Sequence, residues 1–209
     1  MTEYFVPTGA GESEYVEKRS RFLGHVRPVE SEDEARAFIA EMKKKYYDAR
    51  HNCWCYLLKD GPERYSDDGE PQGTAGIPML EVFRREGVTD LVCVVTRYFG
   101  GVLLGTGGLL RAYTRSAKDA LAEAGRAVVR QWAETAVECP YNLLERVKQE
   151  VTASGGILGE IEYGAQVLIP ALLPAEDFAS YAARITELTA GQCEAIHLGE
   201  CFRAAPVAE

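Results

Sequence analysis

Between Thr96 and Lys118 the chain reads TRYFGGVLLGTGGLLRAYTRSAK, with five glycines between Gly100 and Gly108. Glycine lets a backbone approach a ligand closely, and a helix N-terminus offers unpaired N–H groups to an anion. Gly100 and Gly105 have the spacing of a P-loop. Thr106 and Gly107 stand where that motif needs Lys and Ser or Thr, so the charge that reaches the phosphates is missing. Gly105-Thr106-Gly107-Gly108 is not the G-x-G-x-x-G of dinucleotide sites either. What remains is a glycine turn with arginines around it. Arg97 precedes the turn, and Arg111 and Arg115 lie four residues apart on one helix face. An anion- or nucleic-acid-binding surface would use Arg97, Gly100, Gly101, Gly105, Thr106, Gly107, Arg111 and Arg115. The competing reading is a tight strand-to-helix turn with solvated arginines. Both stand on the residues alone.

A second segment, RYSDDGEPQGTAG (64–76), packs Asp67, Asp68 and Glu70 into a glycine-rich loop with Gln72 and Thr74. Dense carboxylates can hold a hard cation or serve as general acid and base. The alternate-residue spacing of an EF-hand loop is absent, and a solvated loop with Thr74 capping the next helix accounts for the residues. In HNCWC (51–55), a strand would put His51, Cys53 and Cys55 on one face. A His–Cys pair can activate a thiolate or ligate zinc. No C-x-x-C occurs and no fourth ligand is evident, so these cysteines read as core. No metal, no cofactor and no catalytic residue is assigned.

These segments need elements to position them. SRFLGHVRPV (20–29) alternates as a strand. Ser31 and Glu34 form a capping box before Ala35, Phe38, Ile39, Met42 and Tyr46 at helical spacing. NCWCYLLK (52–59) is a strand, and Glu63–Ser66 a short one. A helix carrying Ile77, Leu80 and Phe83 runs to Arg85. LVCVVTRYF (91–99) is a nearly unbroken apolar run, the pattern of a strand covered on both faces. A helix follows from about Gly107 to Ala124, with Gly125 ending it. The last third reads strand (133–141), helix (Leu144, Val147, Val151), the hairpin ILGEIEY–AQVLIP around Gly164, helix (Phe178, Tyr181, Ile185, Leu188), and strand (193–202). That order, βαββαβ, is ferredoxin-like.

Charge divides the chain at the same place. Residues 131–209 carry 4 Lys and Arg against 12 Asp and Glu, and residues 1–130 carry 19 against 20. The expected organisation is therefore two domains, 1–132 and an acidic 133–209, in an α+β protein. An acidic C-terminal domain is a poor grip for a phosphate backbone, which needs Lys and Arg. The start, MTEYFVPTGAGESEY, has no basic flank and no apolar h-region, and no apolar run reaches the ~20 residues of a membrane span. The expected location is the cytoplasm, with the six cysteines reduced.

YSDDGEPQGTAGIPML followed by VVTRYFGGVLLGTGGLLRAYT resembles the signature of the IMPACT family, in its bacterial YigZ/YvyE-like form. The Arg97–Gly105 core is the specific part, and the likeness extends into the acidic tail. The resemblance implies an N-terminal α/β domain like those of a small-subunit ribosomal protein and of GHMP kinases. It implies a C-terminal ferredoxin-like domain similar to the last domain of elongation factor G. Eukaryotic relatives modulate translational control during amino-acid starvation. The implied function is a non-enzymatic cytoplasmic protein that binds RNA, the ribosome or a translation-related partner and regulates translation. The alternative is a GHMP-like phosphate- or nucleotide-binding enzyme using the glycine turn and the Asp67/Asp68/Glu70 loop.

Overall fold

The structure is a computed structural model that describes residues 3–206, so the outer ends of the two expected domains lie outside the described residues. The chain divides into two compact units. One is Tyr4–Val128, joined by the segment from Ala204. The other is Val129–Arg203 with Glu3. Sequence and structure agree on a mixed α and β protein of two parts.

The N-terminal unit contains β1 (Tyr4–Pro7), β2 (Gly11–Glu17), β3 (Ser20–Pro28), α1 (Glu32–Lys45), β4 (His51–Leu57), β5 (Glu63–Ser66), α2 (Gly76–Glu86), β6 (Leu91–Tyr98) and α3 (Gly105–Ala124). Five strands form a sheet in the order β2-β3-β6-β4-β5. Its neighbours pair antiparallel throughout. The buried strand β6 lies at its centre, and both its faces are covered as its apolar run requires. Leu91, Cys93 and Val95 join Met79 and Phe83 of α2 and Leu109 and Tyr113 of α3 in one core. Val92 and Val94 point the other way, against Phe38, Ile39 and Met42 of α1. Period-two alternation thus splits one strand between two cores.

Local signals place the helices. Ser31 Oγ accepts from the Glu34 amide at 3.2 Å, and the Glu34 carboxylate reaches back to the Glu30 amide at 2.9 Å. Three acids open α1 and three lysines close it, matching its dipole. Gly87 ends α2 in the left-handed region at φ 66°. The strand β2 gave no sequence signal: GESEYVE is polar and sits at the edge of the sheet.

The C-terminal unit contains most of β7 (Arg126–Cys139), then α4 (Leu144–Ala153), β8 (Ile157–Leu158), β9 (Glu162–Tyr163), β10 (Val167–Pro174), α5 (Phe178–Leu188) and β11 (Ala195–Pro206). β7 pairs with β10 on one side and with β11 on the other, and β10 pairs with β8 and β9. This is the ferredoxin-like order, with the second strand in two pieces. ILGEIEY is expected as one strand. The break falls opposite Pro170, which has no N–H for the ladder, and a Cβ on Gly159 would lie 3.1 Å from the Pro170 carbonyl oxygen. β7 also starts earlier than expected, directly after Gly125.

Candidate functional site

Arg97 does not face solvent. It is the seventh residue of β6, so alternation turns it toward the α2–α3 face, opposite His51 on β4 and Phe22 on β3. Only 5% of it is exposed. Its Nη1 donates to Glu70 Oε1 at 2.6 Å, and the Tyr113 hydroxyl, from α3, donates to the same oxygen at 2.9 Å. His51 Nε2 stands 4.0 Å from the other carboxylate oxygen. The guanidinium also lies 5.5 Å from the ring centres of both Phe22 and Phe99. A charge taken out of water requires a partner charge and hydrogen bonds, and here it has both. Burial and the Glu70 charge push the Tyr113 hydroxyl well above its ordinary pKa, so it stays a donor.

The acidic loop is organised by the same logic. Asp67 Oδ1 accepts from the amides of Ala75 (3.0 Å) and Gly76 (2.8 Å), and its Oδ2 from that of Gly73 (2.8 Å). The residue before α2 is Ala75, which has no side chain to cap with. Asp67 therefore supplies the cap from eight residues upstream, at the positive end of the helix. Thr74 is not the cap: its hydroxyl donates to the Pro71 carbonyl at 2.6 Å. Asp68 accepts from the Asn52 amide and from Lys43 Nζ, both at 2.7 Å, and its carbonyl meets His51 Nδ1 at 2.7 Å. Gln72 is exposed. Cys53 is fully buried, its Sγ donates to the Asp67 carbonyl at 3.0 Å, and burial pushes its thiol far up. Among the described residues no group of three or more His, Cys, Asp or Glu could hold a metal ion.

The glycine turn is different: it is open. Gly100 packs against the turn between β2 and β3, where a Cβ would lie 2.1 Å from the Arg19 carbonyl carbon, and its amide donates to Ser20 Oγ at 3.2 Å. α3 begins at Gly105 (φ 69°), two residues earlier than its apolar spacing predicts, with no side-chain cap and no acid in its first turn. Gly101, Gly105, Thr106 and Gly107 are exposed. So are Phe99, Val102 and Leu103, the last 82% exposed. Cations surround them. The Arg50 guanidinium lies 5.7 Å from the Phe99 ring centre. Arg19 is exposed at the turn that Gly100 touches, and Arg111 is exposed beside Gly107. Arg115 is exposed too and pairs with Asp119 at 2.6 Å.

The structure thus divides the residues singled out by sequence. Arg97, Asp67, Asp68, Glu70 and Thr74 form an internal bonded cluster, while the glycines, Arg111 and Arg115 form a surface beside it. Tyr113, Ser20 and Arg50 belong to this neighbourhood and carried no signal. Tyr113 has the helical spacing of a core residue, and only the folded chain shows what its hydroxyl meets.

Both loops fall in a segment, residues 18–121, that matches the Impact N-terminal domain. Along nearly its whole length the chain is 38% identical to the IMPACT family member YvyE of Bacillus subtilis (93% of this chain, 90% of that one). This chain belongs to the IMPACT family. It is 33% identical to the IMPACT family member YigZ of Escherichia coli, over 88% of this chain and 92% of that one. Protein IMPACT of Rattus norvegicus shares 31% identity over 94 residues, 43% of this chain and 30% of the rat protein. Residues 137–192 match a domain of unknown function, DUF1949. A solved structure described as a crystal structure of an hypothetical protein superimposes with a TM-score of 0.60 at 30% identity, covering 95% of this IMPACT family chain and 98% of that one. No helix among the described residues is long and apolar enough to cross a membrane.

Proposed function

We propose that this IMPACT family protein is a non-enzymatic binder of RNA of the translation apparatus, free or in the ribosome, and regulates translation through that contact. The contact surface is the glycine turn with Phe99, Val102 and Leu103 at its tip and Arg19, Arg50 and Arg111 around it. The observation that carries the reading is the exposure of those three apolar side chains beside cations that have no carboxylate partner among the described residues. Phosphates are neutralised by Arg and Lys, and bases stack on apolar and aromatic surface. Arg97 supports the surface from beneath.

Titration of labelled ribosomal RNA and of purified ribosomes across a salt series tests this. Arg19→Glu, Arg50→Glu and Arg111→Glu together should weaken binding and flatten the salt slope by about one unit for each phosphate left without its arginine. Absence of binding at low salt, or an unchanged slope, overturns it.

The alternative, a GHMP-like phosphate- or nucleotide-binding enzyme, draws support from the uncapped N-terminus of α3. It would need carboxylates for magnesium or proton transfer, and Asp67, Asp68 and Glu70 each hold groups of this chain instead. A saturable thermal shift with magnesium nucleotides would favour it over RNA binding.

A further inference from the structure

The sheet has a second open flank, on the face away from the glycine turn. α1 covers β6 and β4 but not the edge strand β5, and a groove of about 440 Å³ is left between helix and strands. Its helix wall is the stripe Arg36, Ile39 and Lys43, three to four residues apart. Its floor is Trp54 and Tyr56, alternate residues of β4 whose rings stack nearly parallel (8°) with centres 5.8 Å apart. Arg64, directly opposite Tyr56 on β5, closes the far side.

The charges are unevenly matched. Arg36 pairs with Glu32 at 2.6 Å, and Glu32 also accepts from the Tyr56 hydroxyl at 2.7 Å. Lys43 pairs with Asp68 at 2.7 Å. Arg64 donates only to its neighbour's carbonyl, Glu63 O, at 3.0 Å, and has no carboxylate partner among the described residues. The groove therefore combines a half-buried indole with one positive charge in excess. That matches one phosphodiester and one stacked base. It does not match the several charges of a nucleoside triphosphate.

We propose that this groove binds single-stranded RNA, one base stacking on Trp54 and the adjoining phosphodiester resting on Arg64. Stacking on an aromatic floor accepts any base, so the site is indifferent to sequence. Arg offers a planar fork to a phosphate and is the suitable cation beside a ring. The groove is separate from the glycine turn, being on the opposite face of the sheet, and does not depend on that surface binding anything.

The test uses the full chain and fluorescein-labelled octauridylate, read by anisotropy at low salt. Trp54 gives a second readout. The other tryptophan, Trp132, is buried in the C-terminal unit, so Trp132→Phe isolates Trp54 emission. The expected result is saturable binding that quenches Trp54. Arg64→Glu, at an exposed position, and Trp54→Ala should each weaken it by about tenfold or more, with Trp54→Phe in between. If Trp54→Ala does not fold, Arg64→Glu and Trp54→Phe decide the matter. Unquenched Trp54 at ~100 µM oligonucleotide, well within ordinary non-specific affinity, overturns the proposal. So does an Arg64→Glu protein that binds as tightly as the unaltered chain. Adenosine monophosphate binding as tightly as the oligonucleotide also overturns it, in favour of a free-nucleotide site. Trp54 emission reports this groove alone, so failure here and failure at the glycine turn are distinct results.

Discussion

Arg97 Nη1 and Glu70 Oε1 meet at 2.6 Å with both side chains almost wholly out of water. The two residues come from the segments most prominent in the sequence, and the contact gives each a partner inside the protein. The glycine-turn segment and the acidic loop are thus held together by a buried ion pair. The surface they support consists of their neighbours.

Removing one partner strands the other as an unpaired buried charge. Arg97→Ala should cost about 3–5 kcal/mol of stability by urea denaturation, and Glu70→Ala a similar amount. Tyr113→Phe, which removes one of the hydrogen bonds to Glu70, should cost about 1–3 kcal/mol. A loss below ~1 kcal/mol for Arg97→Ala would mean that water reaches the pair. Weakened binding in an Arg97 variant reports unfolding as readily as a missing ligand contact, which is why exposed arginines carry the functional test.

Asp67 organises the loop through three backbone amides. Asp67→Ala leaves all three amides without their acceptor and should destabilise by about 1–3 kcal/mol. Asp67→Asn keeps an acceptor oxygen and should recover part of that loss. Equal losses for both variants would show that charge alone matters there. Hydrogen exchange at the Gly73, Ala75 and Gly76 amides locates the effect.

His25 gives the fold a pH dependence. Burial holds its pKa below the ordinary value, with Glu12 opposing, and the ring stacks on Tyr46 at 5.3 Å. The unfolded chain therefore takes up a proton first, near the ordinary histidine pKa of about 6.5. Stability is at its full value above that pH and falls as pH drops from there through the lower folded pKa. The melting temperature should decline as pH falls below about 6.5, and His25→Gln should flatten that part of the curve. An unchanged curve in the variant excludes His25 as the cause.

The thiols should show a strong inequality. Five cysteines are buried and Cys201 alone is partly exposed. Burial raises the Cys53 and Cys55 thiols far above their ordinary range, and Cys201 is also raised. A thiol reagent at neutral pH should titrate one group slowly in the native protein and six after denaturation, with Cys201→Ser abolishing the native reaction. Rapid labelling of Cys53 would contradict its assignment to the core.

Much of the architecture was legible because local signals recur along the chain. The capping pair Ser31 and Glu34, the stop at Gly87 and the apolar run Leu91–Val95 each act within a few residues, and each element formed where its signal lay. β2 was missed because an exposed polar edge strand has no apolar alternation. α3 starts earlier than its apolar spacing because glycines hide where a helix begins. The candidate site was legible as two segments and illegible as a site. Nothing in RYSDDGEPQGTAG tells which carboxylate caps a helix and which meets an arginine.

The sequence alone determined which residues bear charge, which strand is covered on both faces, and that a glycine turn joins β6 to α3. Those properties follow from side-chain chemistry and short-range backbone preference. Tertiary structure decided which charges stay available. A buried ion pair needs two segments brought together from 27 residues apart. Only that approach commits Arg97 to Glu70, while Arg111 and Arg64 stay exposed. The physical reason is desolvation. A charge excluded from water must find its partner inside, and the identity of that partner is a property of the fold.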